Sequence, residues 1–324
     1  MIKRLFERSL GLFGLANKKN PERTSDGTED FARSTIERTL QMVRQEYTVM
    51  PRFAYHQPLD YYMDTLAVKF EPPVRVVGVE LPLPPAPDRM GYPADDQDYL
   101  AWGQSDKELV MAQIQAHLKL DRGVKIMDFG CSSGRVLRHF DGEAQSKGWE
   151  LYGVDIQARP IQWMREHFPA RFCVYTGSLL PHLPFPDGHF DVIYGFSVFT
   201  HIKFHWDAWL LELRRVLKPG GLLIQTIHTE NAWRFYYDHK DLDWVRKNHS
   251  AKMLETREMS DDYFYYGDVS VSQVFMKRDV ARTYWSRYLD VIDVLPPPDK
   301  RSFQDWMICQ KPDASAALDR NLPL

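Results

Sequence analysis

The stretch Val124-Lys125-Ile126-Met127-Asp128-Phe129-Gly130-Cys131-Ser132-Ser133-Gly134-Arg135 decides how the rest of the chain is read. Residues 124–129 are a short apolar run with a lone acid, Asp128, near its end, which is the pattern of a strand buried on both faces. Gly130 and Gly134 allow positive φ and close backbone approach, and a helix is expected from about Arg135. A ligand can then rest on the main chain at that helix N-terminus. An ordinary strand–turn–helix also uses glycines for packing, so the turn alone does not decide the matter.

The next apolar run, 150–155, ends in Asp155, about 21 residues past Gly134. An acid there suits a ribose diol in a βαβ nucleotide site; the plainer alternative is a helix N-cap. Two cofactor classes use this arrangement, the nicotinamide or flavin dinucleotides and S-adenosylmethionine. A dinucleotide fingerprint requires G-x-G-x-x-G, whereas here Ser132 lies between the two glycines. The turn resembles the D-x-G-x-G-x-G turn of class I S-adenosylmethionine-dependent methyltransferases, with Ser132 in place of the central glycine.

Three further segments carry the same resemblance in the same order. Leu183-Pro184-Phe185-Pro186-Asp187-Gly188-His189-Phe190-Asp191-Val192-Ile193 is similar to the family's approach to strand four. Phe196-Ser197-Val198-Phe199-Thr200-His201 resembles the exit from that strand. Glu212-Leu213-Arg214-Arg215-Val216-Leu217-Lys218-Pro219-Gly220-Gly221 resembles the helix and turn before strand five. The resemblance covers about residues 107–312. It implies that S-adenosylmethionine is held by Asp128, Gly130, Ser132 and Gly134 around its amino-acid part, with Asp155 on the ribose. Ile156 would lie against the adenine, with Ser178, Leu179 and Phe196 completing the site. The family usually places an acid after strand three, where this chain has Gly177-Ser178-Leu179.

Strand and helix patterns alternate through the region: strands near 124–129, 151–155, 171–175, 190–194 and 222–227, helices near 106–118, 135–146, 159–167 and 206–217. Such alternation predicts an α/β fold, a Rossmann-like doubly wound and mostly parallel sheet. A helix near 278–288 and two strands, 289–295 and 303–310, joined through Pro296-Pro297-Pro298-Asp299, predict an antiparallel terminal hairpin. A dinucleotide dehydrogenase would more often continue with parallel strands. The expected organisation is an N-terminal helical extension (1–50), a Pro-rich wrapping segment (51–106), a catalytic domain (107–312) with an insert at 229–275, and a tail (313–324).

Composition narrows the function. A net charge of −3 gives no global positive field for nucleic acid, so no nucleic-acid partner is expected. Cys131, Cys173 and Cys309 are odd in number and widely spaced, which predicts free thiols, a reducing cytoplasmic setting and no metal site. Cys131 reads as a small filler in the turn. Residues 1–20 mix basic and apolar side chains, and an N-terminal helix there could touch a membrane surface weakly. No segment reaches the roughly 18 apolar residues of a transmembrane helix.

His201 and His228 follow the fourth and fifth strands, at the carboxyl ends where ligands sit in open α/β sheets. Either suits a general base for a hydroxyl acceptor, and either could instead be a hydrogen-bonded scaffold residue. Nothing after strand four supplies an N/D-P-P-Y/F turn or clustered carboxylates, which disfavours nucleobase and metal-chelated catechol acceptors. The insert's aromatics, among them Trp233, Tyr236, Tyr263 and Tyr265, either form a binding lid or cover the sheet. Gln304-Asp305, at the start of the last strand, could face the acceptor as well. The sequence therefore predicts S-adenosylmethionine-dependent methylation of a small-molecule or saccharide acceptor, at a hydroxyl oxygen. A non-catalytic adenosyl- or partner-binding module remains an alternative, and a nicotinamide oxidoreductase a weaker one.

Overall fold

A computed structural model describes residues 80–89, 92–248, 255–267, 272–298 and 303–312. The expected N-terminal helices, most of the Pro-rich segment and the tail lie outside these residues. A seven-stranded sheet in the order β3-β2-β1-β4-β5-β9-β8 organises the described chain. Its strands are β1 Lys125–Phe129, β2 Glu150–Asp155, β3 Phe172–Thr176, β4 Phe190–Gly195, β5 Leu217–Ile227, β8 Asp290–Leu295 and β9 Asp305–Gln310. The first five pair in parallel, and β9 runs antiparallel between β5 and β8. The expected doubly wound sheet and closing hairpin are both present.

Helices on both faces explain why β1 and β4 read as unbroken apolar runs, since alternate residues enter opposite cores. Ile126, Leu151, Val192, Tyr194 and Ile224 face one core with Val110, Ile114, Phe140 and Trp163. Met127, Phe129, Ile193, Leu223 and Met307 face the other with Trp209, Leu213, Ala281 and Trp285. The first core is covered by helices α1 (Asp96–His117), α2 (Asp141–Lys147) and α3 (Ala158–His167), the second by α4 (Trp206–Val216) and later elements. In α4 the buried Trp209, Leu210, Leu213 and Val216 make one helical stripe.

Two elements differ from expectation. Helix α1 starts at Asp96, ten residues before the expected 106, and so takes in the end of the segment expected to wrap the domain. Asp95 caps it, its carboxylate accepting from the backbone N–H of Gln97 and Asp98. The helix expected from Arg135 is instead an irregular turn followed by a 3-10 turn at Leu137–Phe140, and α2 begins only at Asp141. Side chains here bond outward: Ser133 Oγ to the Asp88 carbonyl (3.1 Å), Arg135 to Asp106 (2.6 Å), and Arg138 to the Pro82 carbonyl.

The insert folds into helices α5 (Glu230–Asp238) and α6 (Asp243–Asn248) and a hairpin of β6 (Tyr263–Tyr266) and β7 (Gln273–Met276). Trp233, Tyr236, Val245, Met259 and Phe275 form a small third core. The free edge of β7 is stitched to the segments that leave β4 and β5, Val274 N–H donating to the Thr200 carbonyl (2.8 Å) and Met276 N–H to that of His228 (3.0 Å). Helix α7 (Arg278–Trp285) then returns the chain to β8. Among the described residues no helix is long and apolar enough to cross a membrane.

Candidate active site

The strand order reverses between β1 and β4, and the crevice of such a sheet opens at the carboxyl ends beside that reversal. The turn after β1 lies there. Gly130 and Gly134 both adopt positive φ (84° and 77°), and a Cβ on Gly130 would stand 2.3 Å from Val198 Cγ2. One on Gly134 would meet Met164 Cε at 2.7 Å. Close packing therefore demands both glycines, as the plainer reading of the turn allowed. Ser132 occupies the left-handed region at φ 47°, the conformation a glycine would take without strain. Cys131 packs on Gly153, whose added Cβ would lie 2.8 Å from its sulfur, and burial drives its thiol pKa well upward. It is a protonated filler.

Asp155 joins the two loops that border the crevice. Its carboxylate accepts from the backbone N–H of Ser132 (2.8 Å) and of Gln157 (2.8 Å). It thus serves the start of α3 as well as the turn. Burial raises its pKa, opposed by the N–H groups of Gln157, Ser132 and Ile156. Each oxygen keeps a lone pair for a further donor, and the buried Ser132 hydroxyl has no hydrogen-bond partner within the fold. A ribose with neighbouring hydroxyls fits this donor–acceptor set.

Asp128 is buried and accepts a hydrogen bond from the Tyr194 hydroxyl (3.0 Å). Burial pushes its carboxyl up to about 7, opposed by that hydrogen bond and by Arg135, and assisted by the charge of Asp155. A raised acid pKa makes the folded state hold a proton that the unfolded chain releases above pH about 4. Folding stability should therefore fall as pH rises from about 4 to about 7, by roughly 4 kcal/mol from this group, and Asp128→Asn should remove that part of the slope. Urea unfolding of both proteins across this range checks it; parallel pH profiles would contradict it.

The remaining expected cofactor residues are dispersed around the crevice. Ile156 is half-buried in the β2 loop. Ser178 accepts from the Leu180 N–H (3.0 Å), so its hydroxyl serves its own turn, with half-buried Leu179 beside it. Phe196 packs edge-on against Trp306, centroids 5.0 Å apart, and lies 5.7 Å from the Arg135 guanidinium. Sequence reasoning expected the segment before α1 to wrap the domain but did not name its partners. Asp88 pairs with Arg159 (2.6 Å), and the Arg135 guanidinium stacks on Tyr92 at 4.0 Å. These contacts lay the segment on both crevice loops, across sequence distances that no local pattern reports.

The two histidines differ sharply. His201 donates from Nδ1 to the Ser272 carbonyl (2.6 Å), and burial lowers its pKa against that bond. It helps anchor β7. His228 is 3% exposed, stacked on Phe275 at 4.8 Å with Tyr236 edge-on. Its Nε2 lies 3.3 Å from Gln304 Nε2, whose amide also donates to Ser197 Oγ (2.9 Å). Facing an amide donor, Nε2 is the nitrogen with the lone pair. Ser197, in the left-handed region at φ 57°, donates its backbone N–H to Thr226 Oγ1 (2.8 Å). A polar line Ser197–Gln304–His228 thus crosses the ends of β4 and β5. Asp305 does not join it, being turned inward to Thr229, Asn231 and Arg278.

Residues 127–225 match the family described as a methyltransferase domain. A ubiquinone/menaquinone biosynthesis C-methyltransferase (UbiE) of Burkholderia cenocepacia (strain HI2424) is 27% identical over 168 residues, 48% of this chain and 66% of the relative. The namesake from Cupriavidus metallidurans is 30% identical over 134 residues, 38% of this chain and 53% of the relative. The chain thus spans somewhat under two thirds of the relatives' length. A solved S-adenosylmethionine-dependent methyltransferase from Methanosarcina mazei is 20% identical, with 62% of this chain and 97% of that one covered and a TM-score of 0.42. Residues 127–225 thus carry a methyltransferase domain. Its cofactor class is S-adenosylmethionine. Among the described residues no group of three or more His, Cys, Asp or Glu side chains could hold a metal ion.

Proposed function

We propose that this protein transfers the methyl group of S-adenosylmethionine to a hydroxyl of a small-molecule acceptor held at the ends of β4 and β5. The observation that carries this is the line Ser197–Gln304–His228, which meets the crevice beside the glycine turn through the segment 196–199. The bound cofactor supplies an electrophilic methyl on a sulfonium, and the sulfur retains the bonding pair when the methyl leaves. His228 Nε2 takes the acceptor proton as oxygen gains the methyl, while Gln304 and Ser197 orient the hydroxyl. Asp155 and the Ser132 loop would hold the adenosyl part, with Asp128 on the side of its amino-acid part.

The names of the relatives describe C-methylation, which favours a second form of the same chemistry. A hydroxyl on an unsaturated ring, once deprotonated, is nucleophilic at the adjacent carbon too, so one base serves either atom. A saccharide acceptor has less support. Trp233, Tyr236 and Phe275 are buried in the insert's own core, and Tyr265 is the exposed ring of its hairpin. The three free cysteines suit a reducing, cytoplasmic setting.

Calorimetry with S-adenosylhomocysteine tests the cofactor half. Binding should be measurable, and Asp155→Ala should weaken it by roughly 1.5–3 kcal/mol through loss of charge-assisted hydrogen bonds. Tight NAD binding with no response to the adenosyl ligand would sink the proposal. Labelled methyl transfer into a pool of small molecules tests the other half.

A further inference from the structure

The loop that leaves β4 runs Ile202-Lys203-Phe204-His205-Trp206, in which apolar and basic residues alternate without an acid. Two hydrogen bonds tie it to the insert hairpin: the Tyr263 hydroxyl donates to the Lys203 carbonyl (2.6 Å), and Lys203 Nζ to the Gly267 carbonyl (2.8 Å). Phe204 packs against Tyr265 of β6, centroids 5.5 Å apart, and Trp206 against Tyr284 of α7 at 5.8 Å. Trp206 and Tyr263 line one small cleft, which joins the two pairs into a single patch. Phe204, Tyr265 and Tyr284 are 53%, 42% and 38% exposed. Exposed rings scattered singly need no explanation, whereas rings brought together from three elements mark a contact surface.

Charge and size decide what the surface meets. A cation lies over a ring at each end of the patch, Lys203 Nζ 5.3 Å from the Phe204 centroid and the Arg287 guanidinium 4.3 Å from that of Tyr284. Neither forms an ion pair among the described residues, and Lys203 keeps two N–H donors beyond its bond to Gly267. Asp207, exposed at the start of α4, offsets one of the two charges and leaves the patch positive. The exposed parts of the three rings amount to roughly 250–300 Å², against roughly 800 Å² on each partner of a stable protein–protein interface. That is too little for a protein partner. A bilayer interface needs less, because aromatic rings seat singly at headgroup level while Lys and Arg stems extend to the phosphates.

We infer that this patch seats the protein on an anionic phospholipid bilayer, with Phe204 and Tyr265 entering the headgroup layer and Lys203 and Arg287 on lipid phosphates. The contact needs no cofactor and stands apart from the methyl-transfer reading.

Co-sedimentation of the full chain with vesicles tests it, one set of phosphatidylcholine alone and one mixed with phosphatidylglycerol. The mixed vesicles should bind at least roughly fivefold more tightly, the effect of one net charge at an anionic surface. Phe204→Glu and Arg287→Glu should each weaken binding to the mixed vesicles tenfold or more. Both should leave melting temperature and S-adenosylhomocysteine affinity unchanged, which places the loss at the surface and not in the fold. Should Phe204→Glu fail to fold, Tyr265→Glu puts the same question from the hairpin. Binding to neither vesicle, or binding that survives the substitutions, would overturn the assignment. Self-association that depends on concentration and is lost in Phe204→Glu, with no vesicle binding, would give the patch to a second copy of this chain instead.

Discussion

Asp305→Ala should lower unfolding free energy by roughly 3 kcal/mol, a large loss for one side chain. The carboxylate is fully buried and accepts from four donors: Arg278 Nε (2.9 Å) and Nη2 (2.7 Å), Thr229 Oγ1 (2.9 Å) and Asn231 Nδ2 (2.8 Å). Those donors belong to the start of α5 and the start of α7, so one side chain at the edge of β9 fixes both. Removal leaves the Thr229 and Asn231 donors without their acceptor beside a guanidinium that is one-third exposed. That exposure keeps the expected cost toward the low end for a broken buried ion pair. Asp305→Asn retains an acceptor oxygen and should cost less. Urea unfolding measures both, and a loss under 1 kcal/mol for the alanine variant would show that the cluster does not hold the insert. Because Gln304 is the adjacent residue, turnover should fall with stability in both variants.

Asp305 also shows where sequence reading stopped. Gln304-Asp305 was legible as a polar pair at a strand start, near an acceptor. Only the fold separates them, since alternate residues of a strand point to opposite sides. Gln304 reaches Ser197 and His228, and Asp305 turns into the insert. By contrast β1, its turn, Asp155 and the closing hairpin were legible, because apolar runs, glycine spacing and turn prolines are local signals. The beginning of α1 carried a local signal as well, Asp95 ahead of Asp96 and Asp98, but its first turns bury little beyond Tyr99 and so lack an apolar period. The Pro-rich approach was expected to wrap the domain, yet the partners Ser133, Arg135 and Arg159 could not be named. Ion pairs and hydrogen bonds spanning 45 to 71 residues leave no trace in periodicity. Of the insert's aromatics, Trp233 and Tyr236 lie in its own small core, and the Tyr263 hydroxyl donates to the Lys203 carbonyl.

The choice between the two histidines has the largest expected functional effect. His228→Ala should lower turnover by about 10²–10⁴-fold while S-adenosylhomocysteine affinity stays nearly intact, since a general base acts on the acceptor proton alone. His201→Ala should cost far less turnover. Its Nδ1 is tied to the Ser272 carbonyl and supports β7, so its loss should appear chiefly as lowered thermal stability. A merely structural His228 would also destabilise when truncated, because Phe275 and Tyr236 pack on it. The pH profile separates the two roles. A base needs its Nε2 lone pair, so any dependence of the wild-type rate on pH that this nitrogen imposes should vanish in His228→Gln, which keeps a polar side chain of similar reach. Retained pH dependence in His228→Gln, together with its loss in His201→Ala, would transfer the role to His201. Near-normal turnover in both variants and in the double variant would mean that the acceptor atom needs no base. A carboxylate, thiolate or unprotonated amine would then replace the hydroxyl, with the cofactor site unaffected.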